Sequence, residues 1–169
     1  MPEGRGRRGP QHAAEFLAEL EADPEYQARR AELDKRHAAR VAELAEAEKP
    51  LVEELRVAGF DIDSASDFIN NDPHPVLPRR FIGAYHDAYP ILMRHLRLPH
   101  HPAVREGIIR ALTVRDGGRL LEQALLDEFA IETDPHLRWV LANALRTAMP
   151  YHRRRKFPEI KAVFEGTGQ

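Results

Sequence analysis

The sequence predicts an all-α protein: a short α-solenoid of about two to three helix pairs, preceded by a long N-terminal helix that kinks if it runs through its one internal proline. Three observations lead there. Apolar residues recur at helical spacing in short clusters, and no alternating run of strand length interrupts them. Prolines and glycines cut that pattern at short intervals, and another helical stretch follows each break. An eleven-residue segment recurs 33 residues further on, a spacing typical of stacked helix pairs.

Residues 1–10, MPEGRGRRGP, read as a disordered basic arm, because Gly, Pro and Arg alone cannot bury a face. Gly4, Gly6 and Gly9 match the glycine spacing of a dinucleotide fingerprint. That motif works only between a strand and a helix, and no strand precedes it here. Residues 11–59 form an N-terminal helical segment. Its short first helix places Phe16, Leu17 and Leu20 on one face. Asp23-Pro24-Glu25 then opens a second helix, with Asp at the N-cap, Pro at the first helical position and Glu near the positive end of the dipole. The one breaker before Gly59 is Pro50, and a helix running through it spans about 50 Å. Its apolar stripe of Tyr26, Leu33, Val41, Leu44, Leu51 and Leu55 is thin, and Glu25–Arg29 and Glu32–Arg36 are ion pairs one turn apart. Such a polar helix either lies across the surface of the fold or pairs with another chain, so self-association through it is one expectation. Gly59 ends it.

Residues 60–169 form the repeat domain. Ser64 and Asp67 have capping-box spacing for a short helix ending near Asn70, and Asn71-Asp72-Pro73-His74-Pro75 is loop. Helical patterns then cover 78–97, 102–114, 118–131, 135–149 and 158–165. Residues 102–112, PAVREGIIRAL, align without gaps on residues 135–145, PHLRWVLANAL, sharing Pro, Arg, Ala and Leu. Register then assigns faces. Val104, Ile108, Ala111 and Leu112, with Leu137, Leu141, Ala144 and Leu145, pack inward.

The two openings, His101-Pro102-Ala103-Val104-Arg105 and Asp134-Pro135-His136-Leu137-Arg138, resemble the second helix of a HEAT repeat. The first departs from the pattern with His in place of Asp, which weakens that cap. The resemblance covers roughly Tyr85 to Glu165, and the whole chain resembles a group of small bacterial HEAT-repeat proteins. It implies a scaffold that binds another macromolecule, most readily a protein, without naming the partner. The exposed positions of the second helices, Glu106, Arg110, Trp139, Asn143 and Arg146, would then line a concave groove and contact that partner. Trp139, the single tryptophan, is either an anchor in that groove or packs sideways against the basic C-terminal segment. Arg105 and Arg138 should point into the seam between helix pairs.

Charge favours the same class of function and supplies an alternative. The net charge is −2, so the chain as a whole is no polyanion binder. Residues 11–49 carry ten acids and six bases, whereas residues 133–156 carry one acid and six bases. The basic knot of Arg146 with Arg153, Arg154, Arg155 and Lys156, aided by the arginine-rich arm, would bind nucleic-acid phosphates. Catalysis is not expected. Cysteine is absent, and the two serines, Ser64 and Ser66, sit in a helix-cap context. No phosphate loop or nucleophile elbow occurs. His74, His86, His95, His100 and His101 lack metal-binding spacing. Asp61, Asp63, Asp67 and Asp72 mimic a calcium loop but have Ser66 where glycine is required. No metal or cofactor is expected. No membrane-length apolar run or apolar leader occurs, which leads to a cytoplasmic expectation and no membrane partner.

Overall fold

Proline placement decides where most of the helices begin. The structure, a computed structural model, describes residues 10–69 and 82–166. Among these residues there are eight α-helices, two 3-10 turns and no strand, so the described chain is all-α. The helices are α1 (Pro10–Ala22), α2 (Pro24–Val57), α3 (Tyr89–Leu96), α4 (Pro102–Ala111), α5 (Gly118–Ile131), α6 (Pro135–Ala148), α7 (Tyr151–Arg154) and α8 (Pro158–Glu165). Five of them start on a proline, at the one position where a missing N–H leaves no helical acceptor unmet. The basic arm before Pro10, the 71–75 loop with Asp72 and His74, and the pattern over 78–81 lie outside the described residues.

The chain divides into two units, Met1–Glu43 and Leu44–Gln169. In the first, Asp23 alone separates α1 from α2. Its carboxylate accepts the Glu25 N–H at 2.9 Å and its carbonyl accepts the Gln27 N–H at 3.0 Å, the cap that Asp-Pro spacing calls for. Leu33 and Val41 are exposed, Tyr26 is half-buried, and Arg36 pairs with Glu32 at 2.9 Å along the helix surface.

In the second unit α2 continues through Pro50 to Val57, burying Leu51 and Leu55 completely. Gly59 ends it with a φ of +98°, while Phe60 N–H bonds to the Leu55 carbonyl and Gly59 N–H to that of Arg56, both at 3.0 Å. This is the glycine-terminated pair of hydrogen bonds that satisfies the last carbonyls of a helix. Ser64 and Asp67 form the expected capping box, around a 3-10 turn at Ala65–Phe68. Buried Glu48 reinforces it by accepting the Ala65 N–H at 2.6 Å.

The pattern over 78–97 resolves differently from its sequence reading. Residues 82–85 are not helical, His86–Ala88 form a 3-10 turn, and α3 begins only at Tyr89. Gly83 adopts a φ of +80°, and Pro90 tolerates only the first turn of a helix, so the α-helix cannot start earlier. α4 also stops at Ala111 rather than 114, where the Thr113 hydroxyl donates back to the Ile109 carbonyl at 2.9 Å.

α3 packs on α4 and α5 on α6; α3 also touches α5, and α4 touches α6. All eight residues assigned inward by the 33-residue register are buried, in one core with Leu92, Leu96, Leu121, Leu125 and Ile160. The two caps differ as their chemistry dictates. Asp134 accepts from two N–H groups, at 2.8 and 3.0 Å, whereas His101 Nδ1 accepts one, at 3.2 Å. The seam arginines repeat each other's geometry. Arg105 donates to the Leu96 carbonyl at 2.7 Å and Arg138 to the Phe129 carbonyl at 2.7 Å, each nine residues back, at the C-terminal end of the preceding helix.

Candidate functional site

Arg146, three turns into α6, follows Trp139 by two helical turns, so the two side chains share a face. α8 packs against that face. Phe164 meets the Trp139 ring edge-on, with centroids 5.9 Å apart, and the Arg146 guanidinium lies 4.7 Å from the centre of the Phe164 ring. Trp139 is half-buried there. Its ring contact is therefore with α8, C-terminal to the basic segment.

Beyond this contact α6, α7 and α8 enclose an open cleft of about 830 Å³. Tyr151, Phe157, Pro158, Ile160 and Phe164 supply an apolar lining, and Arg146, Arg154, Arg155, Lys156 and Lys161 supply five cations. Glu165 is the one acid on the wall, and Lys161 neutralises it at 2.7 Å. A volume of this order lies within the range of ligand-binding clefts.

The basic knot is divided by its surroundings. Arg153 turns away and pairs with Glu122, a carboxylate buried on α5. Arg154 donates to the Arg146 carbonyl at 2.7 Å, satisfying the end of α6, and its guanidinium lies 5.7 Å from the Tyr151 ring centre. Arg155 and Lys156 are exposed on the cleft rim. Four adjacent cations thus contribute two to structure and two to the surface.

Glu106 and Arg110 lie apart from the cleft. Glu106 accepts from Arg110 Nε at 2.8 Å and pairs with His136 Nε2 at 2.9 Å, joining α4 to the start of α6. Burial pushes the Glu106 carboxyl upward, but the bonds from His136 and Arg110 outweigh it and hold its pKa below the usual value. Asn143 is half-buried on α6, and its carbonyl accepts the Thr147 hydroxyl at 3.4 Å. Of the five residues assigned to one groove, Glu106 and Arg110 thus pair with each other on α4, and Trp139 and Arg146 lie against Phe164 of α8.

Two further polar links involve histidines. Buried His95 contacts Glu54 Oε2 at 2.9 Å and His100 Nε2 at 3.1 Å, and Arg94 also pairs with Glu54. Burial, then the Arg94 charge, lowers the His95 pKa; burial, then His95 and Arg105, lowers that of His100. Asp116 joins His86 at 2.6 Å and the Tyr89 hydroxyl at 3.0 Å, and the bonds from His86 and Tyr89 hold its carboxyl low. Among the described residues no three His, Asp or Glu side chains converge on a metal position. Asp67, a member of the apparent calcium loop, accepts the backbone N–H groups of Asp63 and Ser64 instead, at 2.7 and 3.2 Å. Among the described residues, no helix is long and apolar enough to cross a membrane.

Sequence reasoning missed the aromatic half of the cleft. Phe157 and Phe164 have no local feature marking them as surface, and only the packing of α8 on α6 brings them to Arg146. Glu122 carried a signal, an acid within the apolar run of α5, but its partner Arg153 lies 31 residues away. No family model matches the chain, and no curated protein or solved structure is significantly similar to it.

Proposed function

We propose that this chain is a non-catalytic, HEAT-like helical-repeat module that binds a protein partner, with the α6–α7–α8 cleft as its main binding surface. The observation that carries this reading is the cleft itself: half-buried Phe157 and Phe164 with exposed Tyr151 beside them, rimmed by the exposed cations Arg155 and Lys156. Aromatic and arginine side chains grouped around a concavity are the composition of interaction hot spots. The helix order supports the solenoid part of the reading. First helices α3 and α5 are neighbours, second helices α4 and α6 are neighbours, and Arg105 and Arg138 make the same bond in each pair.

The charge distribution favours a protein over a nucleic acid. A phosphate backbone is gripped by many free cations, and each contact adds to the salt dependence. Here Arg153 and Arg154 have internal partners, which leaves a short rim beside half-buried Phe157 and Phe164.

The test is affinity capture with nuclease-treated lysate, using the natural chain and an Arg155→Glu/Lys156→Glu variant as baits. A defined set of proteins retained by the first and lost by the second supports the reading. Equal capture by both baits removes the cleft from it. A duplex DNA or RNA mobility shift that weakens steeply with salt, with a slope reduced in the variant, would replace the protein partner with a nucleic acid.

A further inference from the structure

The wall of the α6–α7–α8 cleft is unbalanced in charge. Arg146, Arg154, Arg155, Lys156 and Lys161 line it together with a single acid, Glu165. Lys161 holds Glu165 at 2.7 Å, one turn along α8. Among the described residues, none of the other four cations has a carboxylate partner. Two of the four are held by rings. The Arg146 guanidinium lies 4.7 Å from the centre of the Phe164 ring, and that of Arg154, bonded to the Arg146 carbonyl, lies 5.7 Å from the centre of Tyr151. A guanidinium already stacked gives up less freedom when it meets an anion, and the Arg146 fork matches both oxygens of a carboxylate.

Cations alone would suit any polyanion, and the rings between them narrow the choice. Phe157 and Phe164 are half-buried and Ile160 is buried, so part of the lining accepts an apolar side chain. The volume, about 830 Å³, is that of a pocket for a few side chains. We infer that the cleft binds an acidic segment of a partner protein, in which carboxylates flank one aromatic or leucyl anchor. The inference rests on the cleft being a protein-binding surface, and it names the chemistry of what enters. The Arg146 fork takes one carboxylate, and the anchor lies against Phe157 and Phe164. Exposed Arg155 and Lys156 draw the segment in by longer-range attraction, so binding should weaken as salt rises.

Fluorescence anisotropy of the full chain with a short labelled peptide tests this. The probe has glutamate and serine alternating around one central phenylalanine. Saturable binding that weakens steeply with salt is expected. Serine in place of the probe's phenylalanine should weaken binding about tenfold, and lysine in place of its glutamates should abolish it. On the protein side, Arg155→Glu/Lys156→Glu should weaken the acidic probe at least about tenfold, because repulsion replaces attraction. Arg146→Lys keeps the charge but loses the planar fork, and should weaken it about threefold to tenfold. All three positions are solvent-exposed, and far-UV circular dichroism of each variant confirms an unchanged fold. An acidic probe that does not bind overturns the inference, as does equal binding of the serine or lysine probe, or indifference to either protein variant. Single-stranded DNA of matching charge that binds more tightly than the probe would put a nucleic acid in the cleft instead. If the acidic probe fails while lysate proteins are still captured in an Arg155- and Lys156-dependent way, the binding-module reading stands and only the chemistry of the occupant is wrong.

Discussion

Replacing Arg105 with alanine should be among the most damaging single changes in the unit Leu44–Gln169, and its cost can be worked from the contacts. The guanidinium, 16% exposed, bonds to the Leu96 carbonyl at 2.7 Å, to Glu128 at 2.7 Å and to Glu132 at 3.2 Å. Glu128 and Glu132 are 7% and 11% exposed. Glu132 keeps the N–H groups of Thr133 and Asp134, both at 2.9 Å, but Glu128 loses its cation in a site that water barely reaches. Removing one partner of a buried ion pair costs about 3–5 kcal/mol. Arg138→Ala breaks no ion pair. It removes bonds to the Phe129 and Glu132 carbonyls and a stack 4.2 Å from the Phe129 ring centre, together about 1–3 kcal/mol. Urea unfolding followed by fluorescence of Trp139, which lies on α6, reads the unit Leu44–Gln169 rather than the exposed start of α2. With a denaturant slope of about 2 kcal/mol per molar, the midpoint should fall by about 1.5–2.5 M for Arg105→Ala and by about 0.5–1.5 M for Arg138→Ala. Adding Glu128→Gln to Arg105→Ala should recover part of the loss by removing the stranded charge. If Arg105→Ala costs under about 1 kcal/mol, if Arg138→Ala costs as much, or if Glu128→Gln rescues nothing, the ion pair is not what holds the two helix pairs together.

Further outcomes follow from the α5 entry and from the buried imidazoles. A Cβ on Gly117 would lie 2.6 Å from Leu121 Cδ1, a fully buried side chain, whereas one on Gly118 would meet nothing but would require a φ of +69°. Thermal melts should therefore show Gly118→Ala costing about 1 kcal/mol of backbone strain and Gly117→Ala about 1–3 kcal/mol of overpacking. His95 and His100 both have pKa values lowered in the fold, so the unfolded chain takes up these protons first as pH falls. Stability should be full above the unfolded imidazole value, about 6.5, and decline as pH drops below it. Urea midpoints across that window should flatten in His100→Gln, and an unchanged slope there would mean that the Glu54–His95–His100 link does not set the pH response.

What the sequence disclosed was local. A proline and an acceptor placed one residue before it determine a helix start within a few residues, which is why the caps at Asp23, His101 and Asp134 are where spacing puts them. The 33-residue register assigns eight inward positions, and all eight are buried. The start of α3 was missed because a strongly apolar stretch hid what Gly83 and Pro90 do to the backbone. The cleft was missed for a different reason. The register describes a helix with another repeat beside it, whereas α6 is followed by α8, whose Phe164 packs on Trp139. Arg153 shows the same limit, since its partner, Glu122, lies a whole helix pair earlier in the chain.

The boundary between the two units falls inside α2, between Glu43 and Leu44, rather than in a loop. One hydrogen-bonded ladder therefore passes from residues with apolar cover, Leu51 and Leu55, to residues with none, Leu33 among them. Amide exchange along that ladder should be graded, with slow protons near Leu55 that open only with the core and fast ones near Arg29 that open by local fraying. Trypsin has Arg29, Arg30, Lys35 and Arg36 within this exposed stretch, and cleavage there would leave Leu44–Gln169 intact. A shortened chain beginning near residue 44 would start on four helical N–H groups with no capping residue, so it should be given a new Ser-Pro or Asp-Pro start of the kind that Asp23 and Pro24 provide.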